Sequence, residues 1–138
     1  MKLKTLRIMA IIIGILGTSL FNRFLEGGAL FMSLILICLL LSIYFMTKGF
    51  YRIKTNPELS KKMLTLINDS GALGLSLGFL SAFLGLIAGF DVIEASGNAE
   101  PAILAGGIKV ALLSPIFGIF TFVISKIGVL ILKLLQKN

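Results

Sequence analysis

The sequence predicts an all-α integral membrane protein with four transmembrane helices and both termini in the cytoplasm. Three observations carry that expectation. The 138 residues are 57% hydrophobic with a mean hydropathy of +1.06, against roughly 45–50% apolar in an ordinary soluble domain. One small water-facing core cannot hide that much apolar surface. The apolar residues fall into four runs, each near the roughly 20 residues that a helix needs to cross a bilayer. The basic residues cluster in three segments that share one side only if the chain crosses four times.

The first helix is expected over about 8–25. Its start, "MKLKTLRIMAIIIGILGTSLF", has the charged and apolar parts of a signal peptide. However, "LGTSLFNRF" offers no small-x-small cleavage site, so the segment reads as a retained helix, cut short by Asn22 and Arg23. Arg23, Glu26, Gly27 and Gly28 make a tight hairpin turn into the second helix, 28–47. A basic cytoplasmic loop over 48–70 follows, with Pro57 as a breaker. Asp69 or Ser70 is placed to cap the third helix, 71–90. An acidic outer loop, 91–100, leads to Pro101, a favoured first-turn residue. The fourth helix, 101–133, keeps helical spacing with lysines and projects past the membrane surface. The whole chain reads as one membrane domain.

Charge fixes the orientation. Lys2, Lys4 and Arg7, then Lys48, Arg52, Lys54, Lys61 and Lys62, then Lys126, Lys133 and Lys137 make eleven of the thirteen basic residues. Four crossings put all of them on one side, facing Arg23, Glu26, Asp91, Glu94 and Glu100 on the other. A three-span chain would separate the basic tail from the basic loop. The net charge of +7 therefore reports topology and contact with anionic lipid headgroups, not nucleic acid. With one cysteine, Cys38, and no histidine, neither an intramolecular disulfide nor a transition-metal site is expected. No cofactor fingerprint is present. No acid pair or nucleophile with a base lies in an apolar run, so an enzyme is not expected; Asp91, Glu94 and Glu100 read as a solvated loop.

The first two helices have the Ile, Leu, Phe and Met content of lipid-facing spans. The third differs. In "GALGLSLGFLSAFLGLIAG", residues Gly71, Gly74, Gly78, Ala82, Gly85 and Gly89 fall in a stripe about 80° wide, with Ser81 on its edge. Such a stripe either packs helices closely within a subunit or lines a pore between subunits. On the fourth helix, Gly107, Ala111, Ser114, Gly118, Thr121 and Ser125 share one face, and Lys109 points away from it. That lysine either snorkels to the outer interface or a subunit contact, or pairs with an acid such as Asp91 or Glu94 on a neighbour. Pro115 deprives the Ala111 carbonyl of its usual donor, so a kink is expected there, softened by Gly118 and eased by Ser114.

"GLSLGFLSAFLGL" (74–86) and "AGGIKVALLSPIFGI" (105–119), in that order, resemble the core of the MotA/TolQ/ExbB proton channel family. Its members carry a glycine-studded helix running outward and then "G-I-x-x-A-L-x-x-T-x-x-G" running back. Gly107, Ile108, Ala111, Leu112 and Gly118 stand in that register. The resemblance implies a homopentameric ring in the bacterial inner membrane, its glycine-rich helices lining a central pore. It also implies a dimer of a single-span, ExbD/TolR/MotB-like partner whose membrane aspartate handles the proton. Ser76, Ser81, Ser114, Thr121 and Ser125 are then the candidates for the ion path. The sequence departs from the pattern at Leu75 and Pro115, where members place threonine, and at Val110, where ExbB-like members carry glutamate. A ring that has lost its ion path and serves as a scaffold is the alternative, followed by a small holin-like pore-former.

Overall fold

The computed structural model describes residues 2–26, 28–98 and 100–137, and every regular element among them is an α-helix. The elements are α1 (Lys2–Glu26), α2 (Ala29–Arg52), α3 (Pro57–Ser96), α4 (Pro101–Ala111) and α5 (Leu113–Gln136). They form four rods, because α4 and α5 are one rod interrupted at Leu112. Three rods, Ala29–Arg52, Pro57–Ser96 and Pro101–Gln136, are long and apolar enough to cross a membrane. The hairpin turn expected before α2 includes Gly27, which lies outside the described residues. Gly28 follows it with φ 89°, a conformation that favours glycine.

The basic segment 48–70 is not a loop. α2 runs on to Arg52, and only Ile53–Asn56 separate it from α3. α3 begins about four turns earlier than expected. Its N-cap is Asn56, whose Oδ1 accepts from the Leu59 N–H at 3.1 Å, with Pro57 in the first turn. Neither Asp69 nor Ser70 caps it; the Ser70 hydroxyl donates to the Ile67 carbonyl from within the helix. The physical reason is periodicity. Ser60, Met63, Ile67, Ser70 and Gly71 are all buried, at helical spacing, while Lys61, Lys62 and Asp69 face out. Polarity on the outer face masked an amphipathic helix.

The other end moves the same way. α3 continues through Asp91 and Glu94 to Ser96 and closes on Gly97, whose φ of 66° is left-handed and whose N–H donates to the Ile93 carbonyl. The loop expected over 91–100 therefore shrinks to 97–100, of which Ala99 lies outside the described residues. At 40 residues, α3 is about 60 Å long, twice a bilayer's hydrocarbon thickness.

α2, α3 and α5 pack together, α4 rests on α3, and α1 lies against α2 and α5. At the basic end they share a core of Ile67, Val129 and Leu132, flanked by Phe45, Met46, Phe50, Ile53 and Leu64. Burying Ile67 or Leu132 fully, as here, contributes about 1.5–3 kcal/mol each where the alternative is water. α2 is not wholly lipid-facing. Met32, Ile35, Cys38, Ser42 and Gly49 form a buried stripe against the other rods, while Leu34, Ile37, Leu40 and Leu41 stay exposed.

The rod formed by α4 and α5 breaks at Leu112, next to the Ala111 carbonyl that Pro115 cannot serve. Leu112 has φ −76° and ψ −13°, and its N–H still reaches the Ile108 carbonyl at 3.0 Å. Pro115 then falls in the first turn of α5, where a missing donor costs little.

Candidate functional site: a buried seam of small residues and hydroxyls

α3 and the α4–α5 rod run antiparallel, and their register can be followed through the glycines. A Cβ added at Gly85 would sit 3.6 Å from the Ala111 Cβ. One at Gly78 would lie 2.8 Å from the Ser114 carbonyl oxygen and 3.1 Å from the Pro115 Cα. At Gly118 it would meet the Gly74 carbonyl oxygen at 2.8 Å, and at Gly74 the Thr121 Cγ2 at 3.0 Å. Gly71 stands opposite Ser125. Beyond the apolar stretch the same register carries Gln136 Nε2 to the Ser60 hydroxyl at 2.6 Å. In the middle of the seam the two backbones touch, and only glycine fits at 78 and 118.

The hydroxyls fill the gaps between these contacts. Ser81 donates to Ser114 across the seam at 3.0 Å. Thr121 donates to the Phe117 carbonyl at 3.0 Å and Ser125 to the Thr121 carbonyl at 2.8 Å. Ser125 also lies 2.6 Å from the Ser42 hydroxyl on α2, joining the third rod to the seam. Nearer the basic end, Ser60 donates to the Gly49 carbonyl at 3.1 Å. Among the described residues, every buried side-chain polar atom has a partner. In lipid that pairing is required, because no water is there to take a leftover donor.

The structure thus brings four of the five expected ion-path residues together. Ser81, Ser114, Thr121 and Ser125 are all buried inside the subunit. Ser76 is not with them: it is exposed on α3 and donates to the Ala72 carbonyl at 2.9 Å. Of the small residues, Gly71, Gly74, Gly78, Ala82, Ala111 and Gly118 are buried in the seam. Gly89 and Gly107 have nothing within 4 Å of an added Cβ. With Gly85, Leu86, Ile103 and Leu104 they line an apolar cleft of about 190 Å³ where α4 parts from α3.

Chemically, a hydroxyl donates and accepts but holds no charge near neutral pH. The seam's hydroxyls are taken up by one another or by carbonyls, and none of its buried residues can store a proton. Lys109, Asp91 and Glu94 are exposed, and none has an ion-pair partner among the described residues.

Sequence reasoning missed Ser42, Ser60 and Gln136, together with Asn68, whose Oδ1 accepts from Lys126 Nζ at 2.6 Å. Lys126 also lies over the Phe122 ring, 5.1 Å from its centroid, as Lys48 lies over Tyr44 at 5.7 Å. The signal for Ser42 was present: Cys38, Ser42 and Gly49 are small residues that share one face of an otherwise bulky helix. Asn68 gave none once its segment was read as a loop.

Neither a curated protein nor a solved structure matches this chain. The profile of the MotA/TolQ/ExbB proton channel family does, over residues 51–137. That span takes in α3, α4 and α5 whole, the interlocked rods and their hydroxyls included. On that match the chain belongs to the MotA/TolQ/ExbB proton channel family.

Proposed function

We propose that this protein is the ring subunit of an ion-driven membrane motor or proton channel in a bacterial inner membrane. Five copies enclose a dimer of an ExbD/TolR/MotB-like single-span partner, whose membrane aspartate is the group that takes and releases the proton. Membership of a channel family that works with such a partner supports the reading. The observation that carries it is the character of the seam: tightly interlocked, paired throughout, and without an ionisable residue. Such a subunit supplies a stiff wall and must borrow its charge.

Orientation follows from the ends. The shared end of α2, α3 and α5 holds Lys48, Arg52, Lys61, Lys62 and Lys133, and faces the cytoplasm by the positive-inside rule. With α1 as a fourth crossing, both termini are cytoplasmic. Ser76, exposed while bonded to the Ala72 carbonyl, is the one of the five placed to meet a pore or a neighbour, whereas Ser81, Ser114, Thr121 and Ser125 serve the wall.

That last point favours the second reading, a scaffold that keeps the ring and has lost the current. All five hydroxyls bond within the subunit, four of them buried there, and Leu75 and Pro115 stand where the family places threonine. Proton flux in proteoliposomes separates the two. The motor reading expects flux only with the co-reconstituted single-span partner, lowered by Ser76→Ala. Partner bound without flux makes the protein a scaffold. Dye leakage without any partner makes it a holin-like pore.

A further inference from the structure

Lys109 and Asp91 are matched in depth but placed on opposite flanks of one hairpin. Because Gly85 faces Ala111, Lys109 lies level with Ile87, and Asp91 is one turn, about 6 Å, nearer the outer end. Side chains lean toward the N-terminus of their helix. α3 runs outward, so Asp91 leans back into the membrane. α4 runs inward, so Lys109 leans out of it. The two groups converge on a single depth.

They do not converge in space within one chain. At 100° per residue, Asp91 stands about 200° from Gly89, away from the seam, and Lys109 stands about 200° from both Gly107 and Ala111. Two helix diameters, about 20 Å, separate the flanks. Each flank is otherwise apolar and exposed. Leu80, Leu84 and Ile87 accompany Asp91 and Glu94 on α3, and Lys109 sits in a shallow groove with Ile108, Leu112 and Ile116. A lysine in an apolar stretch calls for a partner, and none is found among the described residues of its own chain.

A positive flank and a negative flank on opposite sides of one subunit make a heterologous contact, which closes into a ring when repeated by rotation. We infer that Lys109 of one copy pairs with Asp91 of the next, seating the α4 flank of each subunit on the α3 flank of its neighbour. The inference rests on the ring reading above and adds which faces meet.

Disulfide trapping in native membranes tests it with the full chain. The pair Ile87→Cys with Lys109→Cys, which stand at one depth on the two flanks, is expected to give a ladder of linked species up to a closed ring on oxidation. Either change alone is expected to give no ladder; the native Cys38 is buried and stays in place. In native mass spectrometry, Lys109→Asp or Asp91→Lys lowers the ratio of assembled to free subunit about fivefold per contact. Combining the two reversals restores it. A wild-type ring that yields no ladder and ignores the reversals overturns the pairing and leaves the ring standing. A monomeric wild type overturns both. An anionic lipid retained by the wild type and lost in Lys109→Asp, with the ring intact, makes the lysine a lipid site and refutes the contact.

Discussion

Alanine at Gly78 is the most direct probe of the seam. Its Cβ would lie 2.8 Å from the Ser114 carbonyl oxygen, 3.1 Å from the Pro115 Cα and 3.2 Å from the Gly118 Cα. All three neighbours are backbone, so no rotamer change relieves them, and ordinary contact begins near 3.4 Å. α5 must therefore retreat by about 0.6 Å. A gap of that size forfeits about a quarter of the dispersion attraction of each facing atom pair. In lipid, that attraction is what replaces the missing hydrophobic drive. Overpacking of this kind costs about 1–3 kcal/mol, offset by up to about 1 kcal/mol from alanine's better helix propensity. With the full offset the net loss is about 1 kcal/mol, and at most about 2, which lowers the folded-to-unfolded ratio roughly fivefold and at most about 30-fold. Reversible unfolding in mixed micelles, titrated with a denaturing detergent, measures it. Two controls sharpen the test. Gly89→Ala meets nothing within 4 Å and should be neutral or stabilising. Gly128→Ala approaches Met46 even more closely, but that side chain is flexible and can swing aside, so it should cost less than Gly78→Ala. If Gly78→Ala is as stable as the wild type, or Gly128→Ala is the more damaging, rigidity of the neighbour is not what decides.

The seam's hydroxyls and the start of α3 give two further expectations. Ser81→Ala and Ser114→Ala should show a coupling of about 0.6 kcal/mol in a double-mutant cycle, the usual size for a hydrogen bond between membrane helices, and no coupling would remove the bond from the account. Asn56→Ala should destabilise by about 1 kcal/mol and speed amide exchange at Leu59 and Ser60, while exchange near Gly74 stays unchanged.

What could be read from the sequence follows from what depends on one helix alone. The stripe from Gly71 to Gly85 is a property of helical spacing, so it was visible without a partner. Its destination was not: both a seam and a pore use small residues, and only the fit of Gly78 against Pro115 and Gly118 places it inside the subunit. Pro115 marks a place where the helix lacks a donor, and the boundary between α4 and α5 lies at Leu112, beside the carbonyl that proline leaves. The first turns of α3 were lost because Lys61, Lys62 and Asp69 raise local polarity, and average hydropathy does not see that Ser60, Met63 and Ile67 share one face. Ser42 was lost for another reason. Its bond to Ser125 depends on how α2 is rotated against the seam, a quantity that no single helix encodes.

The same three rods are held together by different forces at their two ends. At the basic end, where water is the alternative solvent, Ile67, Val129 and Leu132 form a conventional apolar core. Further in, lipid is as apolar as the side chains and that force vanishes, so glycine contact and paired hydroxyls take over. The changeover lies near Gly71 and Ser125, where Ser42 ties in the third rod. Toward the outer end, among the described residues, neither device holds the rods: a Cβ added at Gly89 or Gly107 meets nothing within 4 Å, and the Ala111 carbonyl lacks its usual donor. Stiffness therefore falls from the basic end outward, because local stability follows the density of buried contacts. Within the α4–α5 rod, α4, which carries Lys109, is held less by its own chain than α5. A neighbour bonded there would add restraint where the rod has least of its own, a second ground, beside the charges, for the proposed contact on α4.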